Sequence, residues 1–443
     1  MRVAIIGAGW AGMAAAVKAT EDGHHVTIFE AAHAIGGRAR ALAAKPAKTL
    51  PDGSLAPLDN GQHILIGAYT ETLALMRLVG LSPETALLNL PMTLRFPDGR
   101  GLQFAAWPTP LDALGGILQA RGWTLADKWS LLRAALGWQF RGFACAASLS
   151  VADLCQRLTP KIKAELIDPL CVSALNTPPE QASAQVFLRV MRDALFGVQA
   201  GSRLLLPRVD LSALFPDAAA RWLLERGGQL RLGQRIDALH KQAQQWRVQA
   251  ELFDAVLLAT PAPHAAQILS TADMPAPHAE QVRHWVESAR ALQHEAIATV
   301  YAWAPQASLP IAMLALRSST QHPAQFVFDR GQLGGPAGLL AFVVSAARGE
   351  RATLQAQVLA QGLEQLGLAL QAVQTVVEKR ATFACTPGLQ RPPPTIAPGL
   401  LACGDYVAGP YPATLEGAVR SGRAVVALLN GDENHAGSVK IQP

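Results

Sequence analysis

The sequence predicts an α/β protein in which a Rossmann-like dinucleotide-binding domain is interleaved with a second domain of helices and a mixed β-sheet. Two glycine-containing motifs predict the first domain, one in residues 1–19 and the other in residues 399–422. Residues 108–207 have helical periodicity, and the segments after them alternate as strands do, which predicts the second domain.

Length and composition support two domains that share the chain. The 443 residues are too many for one compact core, and half of them are hydrophobic while 16% are charged. We place the dinucleotide-binding domain in residues 1–92, 207–285 and 391–443, the helical substrate region in residues 93–206, and the substrate-domain sheet and helix in residues 286–390.

Charge and cysteine content limit the partners that we expect. The formal net charge is +5 without a run of five like charges, so nucleic acid is a poor candidate, whereas a mildly basic face suits an anionic membrane surface. Five cysteines without a CxxC pair indicate reduced thiols in the cytoplasm, with no disulfide framework and no metal site. Because no stretch has about 18 uninterrupted apolar residues, we expect no membrane span.

The first motif is a strand, a glycine turn and an alanine-rich helix. The apolar run Arg2–Ile6 precedes Gly7, which permits a tight turn, and Gly9, which lets the backbone approach a pyrophosphate. Gly12 lets the helix pack closely on the strand, and the free N–H groups of that helix point at the phosphates. The turn residues that we expect at the dinucleotide are Gly7, Gly9, Trp10, Ala11 and Gly12.

A second strand, Val26–Phe29, ends at Glu30, eighteen residues beyond Gly12. A carboxylate at this place accepts both hydroxyls of an adenosine ribose and repels a 2′-phosphate. A plain glycine-bearing turn would explain the glycines alone, but it would not explain the second strand and Glu30 in register. The glycine pair Gly36-Gly37 with Arg38 then suits a backbone and guanidinium contact to the same ligand.

Glu30 followed by Gly36-Gly37-Arg38 resembles the extended adenine-dinucleotide motif of FAD-dependent amine oxidases and phytoene-desaturase-type enzymes, rather than that of NAD dehydrogenases. The resemblance implies FAD as the cofactor. Another glycine-rich stretch, 331–338, lies between two predicted strands without a following helix, so we interpret it as a hairpin loop. We therefore expect no dedicated nicotinamide site, and the electron donor stays open.

The second motif lies near the other end of the chain. A predicted strand, Gly399–Cys403, ends at Gly404-Asp405, and a final helix opens near Glu416. By itself this helix would be ordinary packing, but together with the first motif it resembles the other half of the flavin site in this superfamily. The residues that the resemblance places at the ribityl chain and isoalloxazine are Gly404, Asp405, Glu416, Gly417 and Ala418.

A polar turn, Asp59-Asn60-Gly61-Gln62-His63, follows the Pro/Gly-rich loop 46–57 and leads into an apolar stretch. Such a turn can sit against a bound ring system, so we expect Gly61 at the cofactor. Taken alone, Asp59 and His63 are better explained as a turn residue and a hydrogen-bonded histidine than as catalysts.

The helical region contains four of the nine tryptophans, with basic residues around them. An apolar helix face with aromatic residues and basic flanks can lie in a lipid interface, or the tryptophans can fill a helical core. Both interpretations stay open. The apolar positions at helical spacing are Leu111, Leu114, Ile117 and Leu118, then Trp129, Leu132, Leu136 and Phe140.

The remaining pattern predicts a helix over 214–226 and a β meander, followed by strands of both domains. A second amphipathic helix over 351–368 should bury Leu354, Val358, Leu359 and Leu363. The predicted meander strands are 229–232, 234–239 and 246–251, the predicted strand of the dinucleotide domain is 253–259, and those of the second sheet are 296–303, 325–329 and 338–345.

The motifs together, over nearly the whole chain, resemble the squalene-associated FAD-dependent desaturase family, the hydroxysqualene dehydroxylases of bacterial hopanoid pathways. Besides the two flavin motifs, the resemblance rests on DNGQHILIGAY, on NTPPEQAS at 176–183 and on RLLLPRVDLSALF at 203–215. It implies conversion of hydroxysqualene to squalene, in which an allylic hydroxyl leaves as water and reduced flavin provides a hydride.

The implied reaction needs an acid for the leaving hydroxyl. Asp59, His63 and Asp405 lie in motifs near the expected flavin, so they are the catalytic candidates, and a bound water is an equal alternative. Because a C30 isoprenoid is almost wholly apolar, we expect the protein at the inner face of the cell membrane, in peripheral contact with lipid. The oligomeric state is left open.

Three other functions compete with the dehydroxylase. A polyene desaturase or an amine oxidase would have the same fold and flavin. Many amine oxidases have a lysine that holds a water at the flavin, but no lysine lies between Gln242 and Glu378, which speaks against an amine oxidase. A non-catalytic prenyl-lipid carrier is the alternative from another class.

Overall fold

The computed structural model describes residues 1–42, 48–272, 276–305 and 307–431. Two stretches named above reach beyond these ranges. The first two residues of the loop 46–57 and the last twelve residues of the segment 391–443 lie outside the described residues.

The chain begins with a strand, a helix and a strand, as α/β units do, and its antiparallel five-stranded sheet is formed later, by strands within residues 294–383. The strands are β1 (Arg2–Ile6), β2 (His25–Glu30), β3 (Lys48–Thr49), β4 (Leu55–Ala56), β5 (Leu65–Ile66), β6 (Leu87–Leu90), β7 (Thr93–Arg95), β8 (Gly101–Gln103), β9 (Leu204–Pro207), β10 (Gln229–Leu232), β11 (His240–Gln242), β12 (Gln245–Val248), β13 (Glu251–Phe253), β14 (Ala255–Leu258), β15 (His294–Trp303), β16 (Met313–Ala315), β17 (Phe326–Asp329), β18 (Leu339–Ser345), β19 (Gln371–Phe383), β20 (Thr395–Ala397) and β21 (Leu400–Ala402). The α-helices are α1 (Trp10–Glu21), α2 (Thr70–Leu78), α3 (Pro83–Ala86), α4 (Leu111–Gln119), α5 (Leu125–Phe140), α6 (Val151–Leu154), α7 (Pro160–Ile162), α8 (Asp168–Leu175), α9 (Ala184–Arg192), α10 (Leu211–Leu214), α11 (Pro216–Glu225), α12 (Ala262–Ser270), α13 (Ala276–Ala291), α14 (Arg351–Leu366) and α15 (Leu415–Leu429).

A six-stranded sheet in the order β10-β2-β1-β14-β21-β20 joins three distant parts of the chain. Strand β1 pairs in parallel with β2 on one side and with β14 on the other, and β14 in turn pairs in parallel with β21. Parallel strands end at the same edge of a sheet, so the turns after β1, β2 and β21 lie together. The two motifs near the ends of the chain therefore meet at one edge, and the Rossmann-like prediction is confirmed.

The predicted meander is wrong in two of its three strands. Residues 229–232 form β10, which pairs in parallel with β2 in the six-stranded sheet, and residues 234–239 form no strand. The observed meander is β11-β12-β13. Leu232 stands opposite Glu30, and the Gln234 N–H then bonds to the Glu30 backbone oxygen, which leads the chain along the edge of the sheet instead of into a hairpin.

Two helix predictions also need correction. The helix expected over 214–226 is present as α11 but begins at Pro216, because Leu214 ends the preceding α10 and Pro216, which has no N–H, starts a new helix. In α14 the residues Leu354 and Val358 are buried, but Leu363 is exposed.

The substrate domain contains a five-stranded antiparallel sheet in the order β16-β17-β18-β15-β19. Strands β17 and β18 are joined by the glycine-rich stretch 331–338, which contains a 3₁₀ turn at Gly331–Leu333 and no helix after it. The hairpin prediction is therefore confirmed. Arg330 lies at the start of this loop and is buried, which becomes important for the site described below.

Helices α4–α9 form the helical part of the substrate domain. Two π-helical turns, Lys163–Ile167 and Asp193–Gly197, interrupt the α-helical stretches there. Within the described ranges, none of the helices combines the length and the apolar character that crossing a bilayer requires. Residues at both π-helical turns line the cavity that is described in the next subsection. Such turns are frequent at functional sites.

The helix of the first motif packs directly on the last helix of the chain. A side chain at Gly422 in α15 would place its Cβ 2.2 Å from the backbone oxygen of Ala11 in α1, so the two helices touch backbone to backbone. This close packing fixes the amino-terminal motif against the carboxyl-terminal one.

We expect Gly422→Ala to lower the free energy of unfolding by roughly 1–3 kcal/mol, because the added methyl group meets backbone that cannot move without shifting a helix. Chemical unfolding followed by circular dichroism measures this. The matched control is Gly137→Ala in α5, where the nearest atom to a new Cβ is the end of the flexible Arg141 side chain at 3.5 Å. That variant should be neutral or slightly more stable. Equal destabilisation by both substitutions would contradict the packing argument.

Candidate active site

One cavity of about 990 Å³ runs from the edge of the six-stranded sheet into the substrate domain. Its first part is bounded by the turns after β1, β2 and β21, and its second part by helices α4, α5, α8 and α9 and by the five-stranded sheet. The predicted site residues that line it are Gly7, Gly9, Trp10, Ala11, Glu30, Gly36, Gly37, Arg38, Gly61, His63, Gly404, Asp405 and Ala418.

The glycine turns form a cradle of bare backbone that is packed closely from behind. Gly7 has φ +110°, and a Cβ there would lie 2.6 Å from the Ala259 oxygen, so this glycine lets the turn pack against the backbone that follows β14. Gly37 has φ +61°, and its Cβ would lie 3.2 Å from the Cα of Gly9. The Gly36 N–H donates to the Ala8 oxygen at 2.8 Å, which ties the two turns together. This bare backbone has the shape that a dinucleotide pyrophosphate needs for close approach.

Glu30 lies at the end of β2 with its carboxylate at the cavity. Its Oε2 accepts the Ala8 N–H and its Oε1 accepts the Ala32 N–H, both at 2.8 Å. These two bonds fix the carboxylate beside the glycine turn, where the remaining lone pairs can accept ribose hydroxyls.

Arg38 connects the two ends of the chain within the cavity. Its Nη2 lies 2.5 Å from Asp405 Oδ1, and its Nη1 donates to the Ala381 oxygen at 2.7 Å. Burial works against the charge of Arg38, but the carboxylate of Asp405 outweighs it and raises the pKa of the guanidinium above its ordinary value. Asp405 is therefore an ion-pair partner that holds Arg38 beside the cavity.

His63 lines the cavity close to this ion pair. Burial, and after it repulsion from Arg38, together lower the pKa of His63 to about 4. The imidazole is therefore neutral at pH 7. It can donate or accept a hydrogen bond, but it cannot serve as an imidazolium acid at that pH.

Asp59 does not line the cavity. Its Oδ1 accepts the Leu211 N–H at 2.9 Å, its Oδ2 lies 3.8 Å from Arg330 Nη2, and its backbone bonds to the Tyr301 hydroxyl. Burial raises the pKa of Asp59 to about 6, although the Leu211 N–H and Arg330 oppose the rise. The structure therefore does not place Asp59 at the cavity as a catalytic residue. Asp59 instead stabilises the turn 60–63 from the side away from the cavity.

Three of the predicted cofactor residues also lie outside the cavity. A Cβ at Gly12 would meet the Gly7 oxygen at 2.0 Å, and one at Gly417 would meet the Tyr411 oxygen at 1.8 Å, so both glycines serve backbone packing. Glu416 is fully buried, and its carboxylate accepts the N–H groups of Glu71 and Thr72 at the start of α2. These residues support the cradle from outside.

Several residues of the cavity wall went unnoticed in the sequence. Tyr406 is buried, and its hydroxyl has no partner in the described part of the chain. Its position directly after the Gly404-Asp405 turn is the signal that could have found it. Gln62 lies in the turn DNGQH and faces the cavity. Gln234 and Ile236 reach it from the segment after β10, for which the sequence carries no signal.

The second part of the cavity is apolar and leads to the surface. Its helical walls include side chains that are themselves exposed, so the cavity opens where α4, α5 and the second π-helical turn meet. The large hydrophobic residues of the lining that are exposed are Leu111, Leu114, Leu136 and Phe196. Exposed hydrophobic side chains therefore stand at this end of the cavity.

The described residues contain no group of three or more His, Cys, Asp or Glu side chains that could hold a metal ion. The five cysteines are unpaired, and four of them are buried.

Comparisons with known proteins identify the fold and the cofactor class. The family model described as flavin containing amine oxidoreductase matches residues 10–430, which includes the helix of the first motif and the whole second motif. The chain belongs to this family. It is therefore an FAD-dependent oxidoreductase, and the cradle, the Glu30 carboxylate beside it and the unpartnered Tyr406 hydroxyl in the described part of the chain fit a bound FAD.

Individual relatives of this flavin oxidoreductase differ in how much of the chain they match. A hydroxysqualene dehydroxylase of Sinorhizobium fredii is 25% identical over 457 residues, covering 98% of this chain and 99% of that protein. A zeta-carotene desaturase of Synechocystis is 40% identical over 100 residues, covering 23% of this chain and 19% of that protein. The structure of cyclohexylamine oxidase from Brevibacterium oxydans has a TM-score of 0.67 at 16% identity, covering 98% and 99% of the two chains. The resemblance drawn from the motifs is thus confirmed.

The lowered pKa of His63 predicts a pH dependence of stability. Between pH 6.5 and pH 4 the unfolded chain binds a proton at this position that the folded chain does not, so the free energy of unfolding falls as the pH falls through that window. His63→Gln should lose less stability between pH 7 and pH 4.5 than the parent protein, as measured by urea unfolding with FAD in excess.

The control for this measurement is His240→Gln, which changes an exposed histidine in the meander. Its stability should depend on pH as that of the parent protein does. An unchanged pH dependence in His63→Gln would show that His63 is not held neutral.

Proposed function

We propose that this FAD-dependent oxidoreductase removes the allylic hydroxyl of hydroxysqualene reductively and yields squalene. The observation that carries the proposal is one continuous cavity, which joins the flavin cradle to a largely apolar compartment with exposed hydrophobic side chains at its helical end. Similarity to a hydroxysqualene dehydroxylase over almost the full length of both chains supports the same substrate class.

In this reaction the C–O bond of the allylic carbon breaks, a hydride forms the new C–H bond, and the hydroxyl leaves with a proton as water. Reduced FAD supplies the hydride when it is bound. The apolar walls of the second compartment exclude bulk water from the allylic cation. Asp405 is paired with Arg38 and His63 is neutral, so neither is placed to act as the acid, and the proton would come from solvent through a water admitted to the cavity.

We propose that the residues lining the first part of the cavity hold FAD. Gly7, Gly9 and Gly37 admit the pyrophosphate to the backbone, and Glu30 accepts the adenosine ribose hydroxyls. Arg38, fixed by Asp405, stands beside the phosphates and the ribityl chain. Trp10, Ala11, Gly36, Gly61, Gly404 and Ala418 complete the lining at this end.

A polyene desaturase is the second candidate, because it would use the same flavin cradle and apolar compartment. The zeta-carotene desaturase similarity favours it only locally, over 100 aligned residues. A prenyl-lipid carrier would need the compartment but no flavin. Absorbance of the purified protein separates the carrier from both enzymes, since a carrier would be colourless.

Anaerobic incubation of the reduced enzyme with hydroxysqualene tests the proposal. We expect about one equivalent of squalene per flavin and the return of the oxidised flavin spectrum, because each hydride transfer consumes one reduced flavin. Phytoene incubated with the oxidised enzyme is the control for the second candidate. Flavin-containing enzyme that yields no squalene, or that desaturates phytoene instead, would refute the dehydroxylase.

We also propose that the protein takes its substrate from the cytoplasmic face of a membrane, in peripheral contact. Along α5 the side chains of Leu125 and Phe140 are 85% and 88% exposed, and Trp129 between them is also exposed. These positions share one face of the helix, while Leu131 and Trp138 on the opposite face are buried. Trp129 thus supports the lipid-interface interpretation of the tryptophans, and Trp138 supports the core interpretation.

The surface around this face suits an anionic lipid interface. Arg121, Arg133 and Arg141 are exposed near it, and Lys128 is held to the end of α4 by a 2.7 Å bond to the Leu118 oxygen. Cationic side chains flanking an apolar helix face are typical of helices that lie in the plane of a membrane surface. The cavity mouth at Leu111 and Leu136 adjoins this face.

We expect the triple variant Leu125→Ser, Trp129→Ser and Phe140→Ser to reduce binding to vesicles of phosphatidylcholine and phosphatidylglycerol roughly tenfold or more, because it removes the apolar area that would enter the lipid. Co-sedimentation measures the binding. Leu224→Ser with Leu363→Ser, which changes two exposed leucines elsewhere, is the control and should bind as the parent protein does. Equal vesicle binding by both variants would rule out this face.

A further inference from the structure

Gln62 faces the cavity next to His63, and a buried arginine holds it from behind. Arg330 Nη1 donates to Gln62 Oε1 at 3.1 Å. The guanidinium is almost completely inaccessible to solvent, with 4% of the residue exposed. Gln62 belongs to the dinucleotide-side turn and Arg330 to the β17-β18 hairpin, so this bond joins the two domains at the cavity.

This contact determines which end of the Gln62 amide faces the cavity. A guanidinium has donors and no acceptor, so the amide oxygen must point toward Arg330 and the NH₂ group away from it. In the described part of the chain the Gln62 nitrogen has one partner, the His63 backbone oxygen at 3.5 Å. An amide NH₂ carries two hydrogens, so at least one is free to donate into the cavity.

The arginine is itself held in place. Its backbone N–H donates to the Leu339 oxygen at 2.9 Å, and its Nη2 lies 3.8 Å from the carboxylate of Asp59. Asp59 is fixed in turn by the Leu211 N–H and by the Tyr301 hydroxyl. A buried charge is costly unless it is paired, so the arrangement of Asp59, Arg330 and Gln62 is held as a unit.

We propose that Gln62 recognises the substrate hydroxyl by donating a hydrogen bond from its amide nitrogen, and that Arg330 is the positioning residue that fixes the amide in this orientation. The inference rests on the proposed function, because it assigns the group that binds the one polar atom of the substrate. Arg38 nearby is already engaged by Asp405 and the Ala381 oxygen.

The bond would separate substrate from product. Hydroxysqualene carries the hydroxyl and squalene does not, and a site built to bond a hydroxyl binds the analogue without it less tightly. The amide N–H would also stabilise the oxygen as the C–O bond lengthens. Product would then leave the compartment because its contact with Gln62 has disappeared.

Binding to the oxidised enzyme tests this without turnover, since oxidised flavin has no hydride to give. Dissociation constants for hydroxysqualene and for squalene are measured from the change in flavin absorbance. We expect the parent protein to bind the alcohol about three- to tenfold more tightly than squalene, the range that one hydrogen bond provides. In Gln62→Leu the two constants should become equal, with the squalene constant unchanged.

Gln62→Leu is the decisive variant because it presents neither a donor nor an acceptor to the cavity, whereas the carboxylate of Gln62→Glu keeps a partner for Arg330 but can accept a bond from the substrate hydroxyl. Arg330→Met should also remove the preference for the alcohol, since the amide is then free to rotate. Gln103→Leu, which changes an exposed glutamine on β8, is the matched control. It should retain the preference.

The results separate this inference from the proposed function. If the parent protein converts hydroxysqualene to squalene but Gln62→Leu keeps the preference for the alcohol, the role of Gln62 is refuted alone. The same holds if the parent protein binds the alcohol and squalene equally. If the parent protein neither binds nor converts hydroxysqualene, the proposed function is refuted.

Discussion

The structure depends on the parallel pairing of β14 with β1 on one side and β21 on the other. Strand β14 is entirely buried, and the strands that it joins belong to the first and the last parts of the described chain. Because parallel strands end at the same edge, this pairing brings the Gly7 and Gly404 turns together. Without β14 the two motifs would be separate turns, and the cavity between them would not exist.

Several buried carboxylates of the motifs serve this assembly more directly than they serve chemistry. Glu416 holds the start of α2, Asp59 holds the turn 60–63, and Asp405 pairs with Arg38. Each is placed where a backbone N–H or a guanidinium would otherwise be buried without a partner, which would cost free energy. The sequence suggests Asp59 and Asp405 as catalytic acids, but their contacts, like those of Glu416, are explained by hydrogen bonds and ion pairs that hold parts of the fold together.

The cavity connects two regions of opposite character. At one end polar backbone and an ion pair surround the dinucleotide cradle, and at the other end exposed apolar side chains of α4 and α5 surround the mouth. Gln62 and His63 lie between these regions, on a turn that is fixed from both domains. An apolar chain with a single hydroxyl matches this gradient, since its polar atom would stop at the turn while its hydrocarbon fills the compartment.

The sequence alone determined the Rossmann-like sheet edge and most residues of the cradle, because glycine turns and a carboxylate at the end of a strand act through local backbone geometry. FAD as the cofactor followed from the resemblance of Glu30 and Gly36-Gly37-Arg38 to a family motif. Only the tertiary structure decided which side chains face the cavity. Asp59 and His63 are four residues apart, yet one lies behind the turn and the other in front of it. The contact of Arg330 with Gln62 joins residues 268 positions apart, and no local pattern records such a pair. Strand β10 was assigned to the wrong sheet for the same reason, since its partner is chosen by neighbours in space and not by its own alternation.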